Sequence, residues 1–453
     1  MKYLNLALFL TLVLGVGIRL YGLDHRKVFG DEEFYRGGKN TAFAELGTPA
    51  FRNHSVKHFG GAPHGLLSMA VDLAIGKTVL ELFGPWLPED PYRLDNVLCR
   101  LGNVISNVIA MFLLAVFSIE LFGKPAALVS TLMFALSGNQ INWSRVEYLD
   151  PPVAMTVFAA HFFLWRSIVA IRQDQIFRNG GFAFLAGIFA AAAVGVKWPA
   201  LFLVISMPLS YLVIRAVDLR SLRFLKNDFI FLALFLLGWF GMAFLCHSQA
   251  DFRTIWIADV NDLSGDIAYK RGAFTLIWES ILALKPVYPF TNWLAIGVLY
   301  GGLPCLFLFF GAIGLFFKDG WRRQTAPRDV FLGAYFASAL VYTLISRSWY
   351  NHRAMTLAIA VILVGGIVLE RLSKRTIIVT VLLVFFTAGP IGIWHGLRLG
   401  DPVFSYSYFQ SYYNDELPSI PPFPVFYKKP RHYHFGGIFR QKLLKALHVA
   451  EDR

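Results

Sequence analysis

Apolar positions run in long unbroken blocks along most of this chain, and polar positions gather in the gaps between blocks. Blocks of about 17 to 25 residues match the helix length needed to cross the hydrocarbon core of a bilayer. Spans are predicted at 3–22, 97–118, 126–142, 152–170, 182–196, 199–214, 229–247, 293–316, 329–346, 354–370 and 376–397. The expected fold class is therefore all-α, a polytopic integral membrane protein with about 11 transmembrane helices. The fifth and sixth spans are short and meet at Val196-Lys-Trp-Pro199, which reads as a tight re-entrant turn.

Composition supports this. Of 453 residues, 56% are hydrophobic and 16% charged, against about 25% charged in soluble domains, and the mean hydropathy is +0.53. An ordinary soluble enzyme is excluded. One integral domain, residues 1–397, takes up nearly the whole chain. It leaves a tail, 398–453, where Pro418, Pro421, Pro422 and Pro424 predict little regular structure. The first apolar run is long for a signal peptide and lacks a small-x-small cleavage site, so it reads as a retained helix. The net charge of +13 is spread over short clusters between spans and does not form a basic domain, which argues against nucleic acid. Cys99, Cys246 and Cys305 have no CxxC spacing and read as packing residues. Asn53-His-Ser55 and Asn142-Trp-Ser144 match the weak glycosylation sequon.

Lys and Arg distribution orients the chain. With the N-terminus in the cytoplasm, the inner gaps hold Lys124, Arg166, Arg172, Arg178, Arg215, Arg328, Lys374 and others, while the short outer gaps hold only Arg145, Lys197, Arg347 and Arg353. Two long outer loops follow, about 23–96 and 248–292. Within the first, Ala62 to Leu82 is apolar enough to lie as an interfacial helix.

The outer gaps also hold the residues that could carry chemistry. Asp31, Glu32 and Glu33 follow the first span, where a carboxylate is well placed to take a proton; Asp31 equally fits the N-cap of a helix starting at Glu32. Arg145, Glu147 and Asp150 share the next gap, and Asp150 before Pro151 is also a good helix start. Lys197 stands at membrane level, where it would snorkel or find an anion. Arg347, His352 and Arg353 form a last cluster suited to clamping a phosphate, whether a substrate's or an ordinary lipid's. His54, His58 and His64 have no metal-ligand spacing, so no metal site is assigned to histidine. Carboxylates and phosphate-clamping cations on one face suit a substrate with a hydroxyl to deprotonate and a lipid phosphate to expel.

Four of these elements, in order, resemble the GT-C superfamily of membrane glycosyltransferases, and most closely its protein O-mannosyltransferase and aminoarabinose-transferase branch. Asp31-Glu32 with Tyr35 looks like the acidic first-loop motif, and Ala62-Pro-His-Gly-Leu-Leu67 is similar to the histidine-proline segment that follows it. Arg145-Val-Glu-Tyr-Leu-Asp150 resembles the second-loop acidic motif, and Val194-Gly-Val-Lys-Trp-Pro-Ala-Leu201 resembles the lysine-tryptophan motif. His352-Arg353 looks like the arginine found before a late helix.

The resemblance implies a GT-C fold and transfer of a sugar from a polyprenyl-phosphate donor to a hydroxyl on a protein, lipid or glycan, with inversion. Asp31 would be the base, with Glu32, Glu147 and Asp150 orienting it, the sugar or Arg145. Lys197, Arg353, Arg347 and Arg145 would meet the donor phosphate, and Tyr35, His64 and His352 the substrate. No cofactor is certain, although Asp31, Glu32, Glu147 and Asp150 could hold a divalent cation. The expected address is the inner or plasma membrane, with the site on the periplasmic or extracellular side. Two departures stand out: the second motif reads Pro63-His64-Gly65, and Ser68 or Met69 replaces the basic residue that often follows. The competing readings are a lipid or sugar transporter, which would want charges near span midpoints, and a non-catalytic subunit of a glycosylation complex.

Overall fold

The computed structural model of the chain describes residues 2–24, 75, 78–79, 81–89, 91–145, 150–173, 175–196, 200–204, 206–219, 226–247, 300–321, 326–345 and 354–397. Among them there is no strand. The main helices are α1 (Lys2–Leu20), α2 (Pro91–Phe122), α3 (Lys124–Leu136), α4 (Gly138–Ser144), α5 (Asp150–Arg172), α6 (Ile176–Val196), α7 (Leu201–Val204), α8 (Ser206–Leu219), α9 (Lys226–His247), α10 (Leu303–Trp321), α11 (Pro327–Ile345), α12 (Ala354–Leu369) and α13 (Lys374–Leu397). The 248–292 loop, the 398–453 tail, the Lys197 turn and nearly all of the Ala62–Leu82 segment lie outside the described residues.

Each predicted span contains helix, and four stretches are long and apolar enough to cross a membrane: Tyr3–Leu20, Asn96–Phe122, Asp150–Arg172 and Phe177–Val196. One predicted span is divided. The single span predicted at 126–142 is two helices, broken at Ser137, which leaves the helical range (φ −62°, ψ 116°) and accepts a hydrogen bond on its hydroxyl from the Gln140 amide. A serine offering the backbone a local acceptor ends one helix and caps the next. The sequon in α4 is closed off by this packing, because Asn142, Trp143 and Ser144 are all buried.

The bundle is built around α12. Every residue of it except Val368 is buried, and it packs on α2, α3, α5, α10 and α11. A helix apolar on all sides has to be surrounded by protein or lipid; here protein covers α12, while lipid is left for the edge helices. Phe229, Phe240 and Phe244 of α9, Phe307 and Phe317 of α10, and Ile378 and Phe386 of α13 are all exposed, as lipid-facing side chains should be. Beside α12, Phe117 of α2 meets Phe158 and Phe162 of α5 and Phe331 of α11 at ring separations of 5.5–6.4 Å.

Close backbone approach sets the α6–α9 crossing. A Cβ on Gly187 would lie 2.1 Å from the Phe235 carbonyl oxygen, and one on Gly238 would lie 2.2 Å from that of Phe184. Since lipid supplies little hydrophobic drive between helices, small residues that let backbones touch do much of the holding. Polar side chains add cross-links: His161 of α5 bonds the Val157 carbonyl at 2.8 Å and the Ser206 hydroxyl of α8 at 3.0 Å.

Candidate functional site

The site is built where α1 ends. Gly22 takes a left-handed conformation (φ 62°) that stops the helix, and the chain turns through Leu23 and Asp24. Four side chains fix that exit. Arg145 donates to the Tyr21 carbonyl at 2.6 Å, Arg100 to the Leu23 carbonyl at 2.7 Å and Asn96 to the Asp24 carbonyl at 3.1 Å, while Arg93 forms an ion pair with the Asp24 carboxylate. Three of the four come from one stripe of α2: positions 93, 96 and 100 stand three and four residues apart and so share a face. Asn103 and Asn107 continue it inward, and Asn96, Arg100, Asn103 and Asn107 are all buried. Further along the same stripe come Met111 and Leu114, so α2 is polar on its α1 side near one end and apolar towards the other.

One turn before the exit, Arg19 is fully buried. It donates to Asn107 Oδ1 at 2.6 Å, to the Gly15 carbonyl at 2.8 Å, and to the Ala135 and Phe134 carbonyls at 3.1 and 3.2 Å. The last two acceptors end α3, where the break at Ser137 leaves the Ala135 carbonyl without an intrahelical partner and the Phe134 carbonyl with only the Ser137 N–H, at 3.3 Å. A cation also suits the negative end of a helix dipole. From Arg19 the polar chain goes on: Asn107 donates to Gln140 Oε1 at 2.7 Å, and Gln140 donates to the Met355 carbonyl at 2.8 Å. Met355 is the second residue of α12, directly after His352, Arg353 and Ala354 in sequence. A continuous buried hydrogen-bonded chain thus joins the end of α1, the α3–α4 break and the start of α12.

Of the residues singled out from the sequence, two are described, and both are buried at this end: Arg145 and Asp150. Burial, with Arg100 beside it, pulls the Arg145 guanidinium down to about 10, so it remains a cation at neutral pH. Asp150 opens α5 and accepts a hydrogen bond from the Tyr342 hydroxyl at 3.3 Å, which ties α5 to the last turn of α11. Asp31, Glu32, Tyr35, His64, Glu147, Lys197, Arg347, His352 and Arg353 lie outside the described residues. The described residues nearest several of them, Asp24, Arg145, Asp150 and Ala354, all belong to this end of the bundle. Sequence reading missed Arg19, Arg93, Asn96, Arg100, Asn107 and Gln140. The 3-4-3-4 spacing of polar residues from Arg93 to Asn107 was the signal that could have found most of them.

Residues 78–252 match the protein family described as dolichyl-phosphate-mannose-protein mannosyltransferase. The fold superposes on ArnT from Cupriavidus metallidurans bound to undecaprenyl phosphate, with a TM-score of 0.51 at 18% identity over 83% of this chain and 61% of that one. It also superposes on the archaeal oligosaccharyltransferase AglB from Archaeoglobus fulgidus, solved with an inhibitory peptide and a dolichol-phosphate. There the TM-score is 0.52 at 12% identity, over 97% of this chain and 63% of that one. The chain spans less than two thirds of the length of either. No curated protein matches it by sequence. The all-α GT-C fold expected from the sequence, and the resemblance that suggested it, are borne out.

Proposed function

We propose that this protein is an inverting membrane glycosyltransferase that moves a sugar from a polyprenyl-phosphate donor to an acceptor hydroxyl at the outer membrane face. Asp31 takes the hydroxyl proton as the acceptor oxygen bonds to the anomeric carbon. The bond from that carbon to the phosphate oxygen breaks, and polyprenyl phosphate leaves with the electron pair. Lys197, Arg347, Arg353 and Arg145 stabilise the charge that grows on the phosphate, because cations already in place act without reorganising. Glu32, Glu147 and Asp150 orient the base and the sugar, and Tyr35, His64 and His352 contact substrate.

The observation that carries this reading is the clamped exit of α1. Asn96, Arg100 and Arg145 hold the backbone at Tyr21–Asp24, and Arg93 the Asp24 carboxylate, a few residues before Asp31, at the end of the bundle that also holds Asp150. A base must sit within hydrogen-bond reach of its proton, and a backbone pinned just upstream serves that need. The fold shared with ArnT and AglB, both solved with a polyprenyl phosphate bound, supports the donor class.

The test is release of polyprenyl phosphate from a panel of polyprenyl-phosphate sugars by purified protein, with Asp31→Asn alongside. The expected result is release by the wild type and loss of at least two orders of magnitude in the variant, the usual weight of a general base. Wild-type turnover in a folded Asp31→Asn protein would remove Asp31 from the role of base. No release from any donor by folded protein, with acceptors supplied, would point to transport or to a non-catalytic subunit.

A further inference from the structure

The end of the bundle away from the α1 exit holds a cavity of about 680 Å³ between α2, α5 and α6. Its wall is apolar, formed by Val116, Ile119, Val169 and Phe182, and its polar rim carries Glu120, Arg166 and Arg178 with Gln173 and Gln175. We propose that this cavity binds an anionic phospholipid, with Arg166 and Arg178 on the phosphate and an acyl chain along the apolar wall.

The two arginines are held differently. Arg166 is paired with a carboxylate: its Nε lies 2.8 Å from Glu120 Oε2, and its guanidinium lies 5.3 Å from the centre of the Phe162 ring. Arg178 is on an exposed site, and its bond is to a neutral partner, Gln175 Oε1 at 3.2 Å. Glu120 cancels one of the two positive charges, which leaves the described rim residues with one net positive charge, the complement of a phosphodiester. Guanidinium groups present paired donors suited to phosphate oxygens.

Depth decides between a lipid and a free anion. The rim stands where the apolar stretches of α2 and α5 run out, near Phe122 and Arg172, and where that of α6 begins at Phe177. That is the level of lipid headgroups. Phe177, almost fully exposed beside it, is placed as an aromatic side chain at a membrane interface would be. A soluble phosphate would use the rim and leave the apolar wall wet, whereas a phospholipid uses both. The proposal does not depend on the glycosyl-transfer reading, since it concerns the opposite end of the bundle.

The experiment titrates delipidated full-length protein in detergent with phosphatidylglycerol, phosphatidylcholine or soluble glycerol 3-phosphate. It follows bound lipid by native mass spectrometry and stability by thermal unfolding. Phosphatidylglycerol is expected to bind and raise the unfolding temperature, with the other two well behind. Arg178→Gln, on an exposed side chain that folding does not need, should weaken binding about tenfold, and Arg166→Gln at least as much. Glu120→Gln should tighten it, because the variant removes the one negative charge among the rim's described residues; a purely structural role for Glu120 would not predict that sign. Equal binding of phosphatidylcholine, indifference to Arg178→Gln, or weakening by Glu120→Gln in a folded protein would overturn the proposal. Glycerol 3-phosphate binding as tightly as the lipid would make this a soluble-phosphate site and overturn the lipid assignment.

Discussion

The two ends of the bundle use their arginines in different ways. Where α8 meets α9, and where α11 and α12 meet the end of α2, arginine meets carboxylate. Arg215 holds Asp228 at 2.7 and 3.1 Å, with the Tyr211 hydroxyl on the same carboxylate at 2.5 Å. Arg328 holds Glu370 at 2.8 Å and the Leu121 carbonyl at 2.9 Å. At the α1 exit one arginine, Arg93, also meets a carboxylate, that of Asp24, but Arg19, Arg100 and Arg145 donate to main-chain carbonyls. A carboxylate pair fastens one side chain to another and so fastens helix to helix. A carbonyl contact fastens the path of the backbone, whatever residue supplies the carbonyl. The first kind builds a scaffold; the second aims a loop.

Four substitutions can break or sharpen that contrast, each read by unfolding of purified protein in detergent and by turnover. The largest effect belongs to Arg19→Met, which strands Asn107 Oδ1 and the Ala135 carbonyl in the interior; a loss of about 3 kcal/mol is expected, together with loss of turnover. Asp228→Asn should cost about 2 kcal/mol at the other end, leaving turnover per folded molecule unchanged. A parallel fall in turnover would show that the scaffold end also tunes the site. Gln140→Leu cuts the chain between Asn107 and the Met355 carbonyl. About 1 kcal/mol should be lost, with kcat reduced at unchanged donor KM; an unchanged kcat would reduce the chain to packing. Tyr21→Phe keeps the carbonyl that Arg145 uses and alters a half-exposed ring, so stability should move by under about 0.5 kcal/mol. A large loss there would mean that the side chain, and not the backbone, is what the exit depends on.

The chemistry of the exit was only partly legible in the sequence. Asp150 and Arg145 stood out because charge is rare in this chain and both fall in a short gap. Arg100 and Arg19 lie near the ends of the predicted spans 97–118 and 3–22, yet both are fully buried. Apart from Asn107 Oδ1, the acceptors described above are main-chain carbonyls, of Gly15, Phe134, Ala135 and Leu23, and no residue type announces an available carbonyl. The break at Ser137 has the same cause. An apolar run reads as continuous until tertiary packing shows where carbonyls have been given a different partner.

What the sequence determined by itself is the solvent and the class of fold. Blocks of apolar residues long enough to span a bilayer must become helices there, because the hydrocarbon core offers no partner for unpaired backbone groups. The order of the polar gaps likewise carried the resemblance to membrane glycosyltransferases. Only the tertiary structure decided which helix became the buried hub, because α12 and the edge helices are alike apolar and hydropathy does not distinguish protein from lipid as a neighbour. It also decided how Arg19, Asn107 and Gln140, far apart in the chain, close into one buried polar line: each hydrogen bond needs a partner at a specific place, and only the packed bundle supplies those places.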